Sequence, residues 1–326
     1  MNILTRKDQL NSQYPGNPSV IHGNGAIAEV MGHVCGGVIG YPITPSTEIS
    51  EIYEAFRSGG GRNVWGKHPF FFEPEGVHSA QSGALGAALT GGKYISNASS
   101  SQGILYGLES HYVTVGKKVG GFVLQIAARV VSKHSLNVMA GHDDVYALLQ
   151  SGYTILFGSN SQEAADLAAI AYKLSALSLI PVANAMDGFT TSHMMTETMM
   201  PEPELLQYLT DPRVEVYILV TPRGDEGLLE LDFRIARECE LGLFGVAQPL
   251  IGSGAGRRLM NHALEIAWSH PIERFWLHTC SLDHPSALAF YRRTGFTPYA
   301  RKVEVFDDPR YLGLTRDDAA PQVPIL

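Results

Sequence analysis

The stretch "GVIGYPITPSTEISEIYEAF", Gly37 to Phe56, joins a short apolar run to a helical segment through a polar turn framed by two prolines. That is the form of one βα step. The step recurs in "KYISNA", "GFVLQIA", "YTILF" and "LIPVANA", each followed or preceded by small-residue helical sequence, so the chain up to about residue 211 reads as βαβ units around a parallel sheet. One helix is expected over Ser161 to Leu174. Asn160 would cap it, Glu163 would sit at its third position, and Leu167, Ile170, Leu174 and Leu177 would share a face.

The pattern changes at "SHMMTETMMPEPELLQYLTDPRVEVYILV", which is rich in methionine, proline and acid before a strict alternation begins. A boundary between Asp211 and Val214 follows, giving domains 1–212 and 213–326. Beyond it, Val214 to Val220, Gly227 to Ile235 and Cys239 to Val246 are close enough in sequence to form an antiparallel meander. A helix over Gly254 to Ser269 follows, with Leu259, Met260, Ala263, Leu264, Ala267 and Trp268 on one broad face. The strand "RFWLHTC", a short helix over Ser286 to Thr294 and a last strand near Ala300 to Phe306 complete this part, and the tail "DDAAPQVPIL" reads as disordered.

Composition narrows the function. The chain has 326 residues, 45% of them hydrophobic, which suits two ordinary globular domains. A net charge of -8 with no long block of like charge argues against nucleic acid or an anionic membrane as partner and leaves small molecules or proteins. Cys35, Cys239 and Cys280 show no paired spacing, so neither a disulfide framework nor a zinc or iron–sulfur site is expected, and a reducing cytoplasm fits. No signal peptide or membrane-length apolar run is apparent.

In parallel sheets, ligands bind beyond the carboxyl ends of the strands. The polar residues there are Thr44, Ser46 and Thr47 after "VIGY", Ser99 to Gln102 after "YISNA", Arg129 after "VLQIAA" and Asp187 after "VANAM". "FFFEPEGVHSAQSG" adds Glu73 and Glu75 before a helix of small residues. Each has a structural reading too: Ser46, Thr47 and Glu75 suit helix N-termini, Arg129 could pair with an acid, and His134 or His142 could be hydrogen-bonded core histidines.

Taken in order, "GYPITPSTEISEIYEAF", "EPEGVHSAQSGALGAALTGG", "SSSQGILYGLE", "AARVVSKHSLNVMAGHDDVYALLQSGY" and "DGFTTSH" resemble the pyrimidine-binding domain of pyruvate:ferredoxin and related 2-oxoacid:acceptor oxidoreductases, over about residues 20 to 211. The resemblance implies that Thr44 and Arg129 bind a 2-oxoacid carboxylate and that Glu75 contacts the aminopyrimidine of thiamine diphosphate and promotes ylid formation. An arginine fork matches a carboxylate bidentately, and a carboxylate on the ring nitrogen favours the imino tautomer. In that family the diphosphate and Mg²⁺ are held by a second domain or subunit. A β-type partner subunit or a homodimer is therefore implied, with no metal site in this chain.

The stretch "LIGSGAGRRLM", Leu250 to Met260, leaves four guests open: a dinucleotide, a nucleoside triphosphate, coenzyme A, or none. An antiparallel meander before it argues against a dinucleotide fold, and the missing GK[ST] ending argues against a P-loop. The free amides and partial positive charge at a helix N-terminus suit a pyrophosphate. With "RFWLHTCSLDHPSALAFYRRTGF" downstream, residues 214 to 306 resemble the GNAT superfamily of acetyl-CoA-dependent N-acetyltransferases. The resemblance implies acetyl-CoA bound by amides around Gly252, Gly254, Gly256 and Arg257. It also implies a strand splayed near Gly245 and Val246, and Tyr291 as general acid for the thiolate. Glu230 and Glu240 are candidate bases for the acceptor amine, each equally readable as a solvated strand residue, and Tyr291 is equally readable as a packing residue.

Two positions depart from the family pattern: Ile251 stands where Arg or Gln is usual, and His284 where Asn is usual, at the coenzyme A end of the site. The first strand and two helices that wall the acceptor site are also missing, because residues 200–213 are too short to supply them. The expected fold class is thus α/β, a parallel-sheet thiamine-pyrimidine-type domain followed by a truncated α+β, mixed-sheet GNAT-like domain. The expected function is a fusion of the two activities, the alternative being a non-catalytic or artificial chimera that at most binds coenzyme A.

Overall fold

The computed structural model describes residues 14–91, 94–132, 137–303, 308, 310 and 320–323. The chain divides into two compact units, one of residues 16–212 and one formed mainly by residues 213–326.

In the first unit the elements run β1 (Asn17–Ile21), α1 (Gly23–Val34), β2 (Gly37–Ile39), α2 (Thr47–Ser58), β3 (Phe70–Phe72), α3 (Val77–Leu89), β4 (Ile95–Ser99), α4 (Gln102–Tyr106), α5 (Leu108–Gly116) and β5 (Phe122–Ala128). They continue through α6 (Asp143–Leu148), β6 (Thr154–Gly158), α7 (Ser161–Ser178), β7 (Val182–Asp187), α8 (Thr190–His193), β8 (Thr196–Met200) and α9 (Pro203–Thr210). Six strands form one sheet in the order β3-β2-β4-β5-β7-β6, every pairing parallel. Strands β4 and β5 are buried along their whole length, as a sheet covered on both faces requires. All five of the expected strands of this unit are present; the separate antiparallel pair β1–β8 and the edge strand β3 are additions.

Helix α7 shows where pattern reading went astray. Asn160 caps it by accepting from Glu163 N at 2.9 Å, and Ser159 N donates to the Glu163 carboxylate at 2.8 Å. The buried face, however, is Ala164, Ala165, Ala168, Ala169, Ala171 and Tyr172, while Ile170 and Leu177 are about half exposed. Alanines let the helix lie close to the sheet, and that close approach outranks side-chain size in choosing the inward face. Capping of α2 also differs: neither Ser46 nor Thr47 caps it, and the Ser46 hydroxyl donates instead to Ile43 O at 2.9 Å.

Under the other face of the sheet lies a buried polar network. His111 Nδ1 meets the Tyr153 hydroxyl at 3.2 Å, Gln81 Nε2 donates to Tyr153 and Thr114 at 3.3 and 3.2 Å, and Asn97 Nδ2 donates to Gln81 Oε1 at 3.0 Å. Burial holds the His111 imidazole down to about 4. Below the ordinary value of 6.5 the unfolded chain therefore binds a proton that the folded chain refuses, so stability is full above pH 6.5 and is lost as pH falls toward 4. The loss is about 3 kcal/mol. Denaturant melts at pH 7 and pH 4.5 should show it, and His111→Gln should flatten the difference.

The second unit contains β9 (Val214–Thr221), β10 (Gly224–Asp232), β11 (Glu238–Val246), α10 (Ala255–Ser269), β12 (Arg274–Leu277) and α11 (Ala287–Arg293). The meander is antiparallel and β12 joins β11 in parallel, giving a mixed sheet in the order β12-β11-β10-β9. Helix α10 packs Leu259, Met260, Ala263 and Ala267 against Leu229, Leu231, Cys239 and Leu241; Trp268, expected on that face, is 54% exposed. On the opposite face Val216, Ile218 and Val220 of the edge strand β9 are 37%, 54% and 66% exposed. The last expected strand is not seen over residues 300–303, and its remaining residues, like most of the tail, lie outside the described residues. The described cysteines are free, Cys35 and Cys239 buried and Cys280 exposed. No helix among the described residues is long and apolar enough to cross a membrane.

Candidate functional site

At the carboxyl edge of the parallel sheet, one buried carboxylate organises the strand ends. Asp144, fully buried at the start of α6, accepts from Ser101 N at 2.7 Å, Arg129 N at 3.0 Å and Val145 N at 2.8 Å. Burial pushes its carboxyl upward, and the amides oppose that shift. The segments following β4 and β5 are thereby tied to α6. Ser101 completes the tie in a left-handed conformation (φ 49°), with its hydroxyl donating to Val130 O at 2.8 Å. A non-glycine residue held there stores strain of the kind that clusters at binding sites. Ser101 is one of the strand-end residues the sequence offered; Asp144 was not singled out, although the acid pair in "GHDD" was a visible signal.

Arg129 and Thr44 come together. The guanidinium, 6% exposed with its residue, donates from Nη1 to Thr44 O at 2.8 Å and from Nε to Asn137 O at 3.0 Å, while the Thr44 residue is exposed beside it. Arg129 meets the acid Asp144 through its backbone amide only, so the expected structural pairing of its side chain with an acid is not what holds it. Asp187 Oδ1 accepts from Phe189 N, Thr190 N and Thr190 Oγ1 at 3.0, 2.7 and 2.6 Å, fixing the turn into α8. Glu75 is exposed before α3, and the Ser79 hydroxyl donates to it at 2.5 Å and holds its carboxyl below the usual range. An ionised, accessible carboxylate of this kind fits an aminopyrimidine partner. His142 sits at the start of α6 with its ring against Phe157, whereas His134 lies outside the described residues. Among the described residues no group of three or more His, Cys, Asp or Glu could hold a metal ion.

In the second unit the glycines bend the chain between β11 and α10. Gly252 and Gly254 adopt φ 81° and 89°, and a Cβ at either position, or at Gly245, would meet nothing within 4 Å. At the start of α10 the Ser253 hydroxyl accepts from Ala255 N at 3.3 Å, and no acid occupies the first turn; Arg257 and Arg258 are there instead, both exposed. The N-terminal amides around Gly256 and Arg257 are thus presented to an open surface with cationic side chains beside them, a donor set that fits a pyrophosphate. The β11–β12 ladder runs from Glu238–Arg274 to Leu241–Leu277 and then stops, so β11 continues to Val246 without β12 alongside. Tyr291 is half-buried among Phe244, Phe290 and Phe296, and burial pushes its hydroxyl upward. His284 Nδ1 accepts from Ser286 N at 3.2 Å and meets Ser286 Oγ at 2.7 Å, fixing the turn before α11. Glu230 is 5% exposed, and any side chain at Gly242 would strike its carboxylate.

These features define two α/β domains in one chain, one with polar residues gathered at a parallel sheet's carboxyl edge and one with a glycine turn that opens a helix. Residues 30–224 match the family described as pyruvate flavodoxin/ferredoxin oxidoreductase, thiamine diphosphate-binding, and the chain belongs to that family. Residues 202–296 match the acetyltransferase (GNAT) family. The "Probable pyruvate-flavodoxin oxidoreductase" of Escherichia coli (strain K12) is 36% identical over 60% of this chain, and the pyruvate-flavodoxin oxidoreductase of Rhodospirillum rubrum is 32% identical over 60%. This chain spans only 16% of the length of either relative. A 2-oxoglutarate:ferredoxin oxidoreductase from Magnetococcus marinus, solved with 2-oxoglutarate, coenzyme A and succinyl-CoA bound, shares the fold of the first unit. It has a TM-score of 0.50 and 18% identity, covering 58% of this chain and 32% of that one.

Proposed function

We propose that residues 213 onward bind acetyl-CoA and transfer its acetyl group to an amine, and that the first unit supplies the 2-oxoacid and aminopyrimidine half of an oxidoreductase site completed by a partner. The observation that carries the reading is the N-terminus of α10, without acids and flanked by exposed Arg257 and Arg258, behind two left-handed glycines. Amides of Gly252, Gly254, Gly256 and Arg257 would hold the pyrophosphate, and His284 would contribute to the same cofactor site. Val246, at the end of β11, would offer its backbone to the pantetheine. Tyr291 would hold the proton that the departing thiolate needs, since its raised hydroxyl pKa keeps it protonated at neutral pH.

In the first unit, Arg129 and Thr44 would receive the carboxylate of a 2-oxoacid. Glu75 would accept a hydrogen bond from the aminopyrimidine of thiamine diphosphate, which supplies the electron sink when bound. The partner, a β-type subunit or a second copy, would hold the diphosphate and Mg²⁺. Oxidative decarboxylation therefore requires that partner. The isolated chain is expected to show no thiamine diphosphate binding at micromolar concentration with Mg²⁺ in a thermal-shift titration, and tight binding would contradict this division of labour.

A second reading, coenzyme A binding without turnover, is favoured by one observation: the apolar face of β9 is open where acceptor-site walls would stand. Release of free thiol from acetyl-CoA in the presence of primary amines separates the two readings.

A further inference from the structure

Glu240 and His278 stand at the fork where β11 and β12 part. The last paired residues are Leu241 and Leu277, and His278 is the next residue along the β12 side. Glu240 lies directly across from Trp276, so alternation places Glu240, Trp276 and His278 on one face of the sheet, opposite the face that Cys239 and Leu241 give to α10. His278 Nδ1 meets Glu240 Oε1 at 2.8 Å. The Glu240 side chain is 21% exposed and the imidazole 73%, so the carboxylate is seated in the sheet and the ring projects outward.

An ionised carboxylate at that distance from Nδ1 requires the proton on Nδ1, which leaves the Nε2 lone pair facing solvent. Such an exposed pair adds little to stability, so folding alone does not call for it. The charged surroundings are anionic on balance. Asp232 on β10 lies across from Glu240 and is held by Arg234 at 2.7 to 3.0 Å, Glu230 is buried beside Gly242, and Glu238 pairs with Arg274 at 3.6 Å.

We propose that His278 is the base that deprotonates the acceptor, a primary aliphatic amine arriving as its ammonium cation, and that Glu240 is the residue positioning the imidazole. The proposal rests on acetyl transfer from acetyl-CoA by this unit. It reassigns Glu240, a candidate direct base, to a role exerted through His278. One ammonium proton passes to His278 Nε2 and then to water. The freed nitrogen lone pair forms the bond to the thioester carbonyl carbon, the C–S bond breaks, and the sulfur leaves as thiolate. The second nitrogen proton balances the one that the thiolate takes up, giving amide and free thiol.

The test uses the full chain, with propane-1,3-diamine, lysine and glucosamine as acceptors and thiol release as the readout. His278→Gln is expected to lower kcat about 100-fold, with acetyl-CoA affinity by calorimetry unchanged. Glu240→Gln should lower kcat about tenfold, because the imidazole loses the acceptor that holds its Nδ1 proton and orients the ring. Nitrogen-15 spectra of the histidine rings, assigned by loss of one signal in His278→Gln, should show the Nδ1–H tautomer, reverting toward Nε2–H in Glu240→Gln. Wild-type kcat in His278→Gln, or the Nε2–H tautomer in the wild type, would overturn the proposal. A chain that binds acetyl-CoA but releases no thiol with any of these amines overturns the dyad and leaves cofactor binding standing. Absence of acetyl-CoA binding removes both.

Discussion

Asp144→Ala should cost the unit of residues 16–212 about 3–5 kcal/mol, the largest loss expected from a single polar substitution in that unit. The carboxylate satisfies three backbone amides, those of Ser101, Arg129 and Val145, at 2.7, 3.0 and 2.8 Å. Alanine leaves these buried donors without a partner, each costing about 1–3 kcal/mol before relaxation. Part of that is returned, because a carboxyl raised by burial no longer has to be desolvated. Asp144→Asn keeps one carbonyl oxygen and should cost less than half as much. Hydrogen exchange of the β4 and β5 amides during denaturant titration reports on this unit specifically. Equal protection in wild type and Asp144→Ala would show that these strand ends are held by something else.

Gly254→Val is expected to weaken acetyl-CoA binding by at least about tenfold. Gly254 sits at φ 89°, a region a β-branched residue enters only at a cost of about 1–3 kcal/mol. Because a Cβ there meets nothing within 4 Å, the damage comes from backbone refolding and from covering the helix amides, not from a clash with the rest of the unit. Asparagine tolerates this conformation, so Gly254→Asn should retain more affinity than Gly254→Val. The reverse order would locate the effect in side-chain bulk alone.

How far the sequence could be read depended on the range of the interactions concerned. The parallel sheet was legible because β5, buried along its whole length, is an apolar run broken only by Gln125, and the meander was legible because its strands are local in sequence. The edge strand "FFF" and the β1–β8 pair were not, since short edge pairings depend on partners far along the chain. The inward face of α7 was misjudged because alanine is a weak hydrophobic signal but the right size for close packing. In the sites, residue types at strand ends pointed to Thr44 and Arg129, which the fold brings within one hydrogen bond. Asp144 escaped notice because its partners are backbone amides, which carry no sequence signature. His278 escaped because its partner Glu240 is 38 residues away on the neighbouring strand.

The most direct test of the central claim is calorimetric titration of the full chain with acetyl-CoA. Binding of one equivalent at micromolar affinity, about 7–8 kcal/mol, is predicted, and it should weaken in Gly254→Val. A folded wild-type chain that gives no heat up to millimolar acetyl-CoA would contradict the assignment of the glycine turn to coenzyme A.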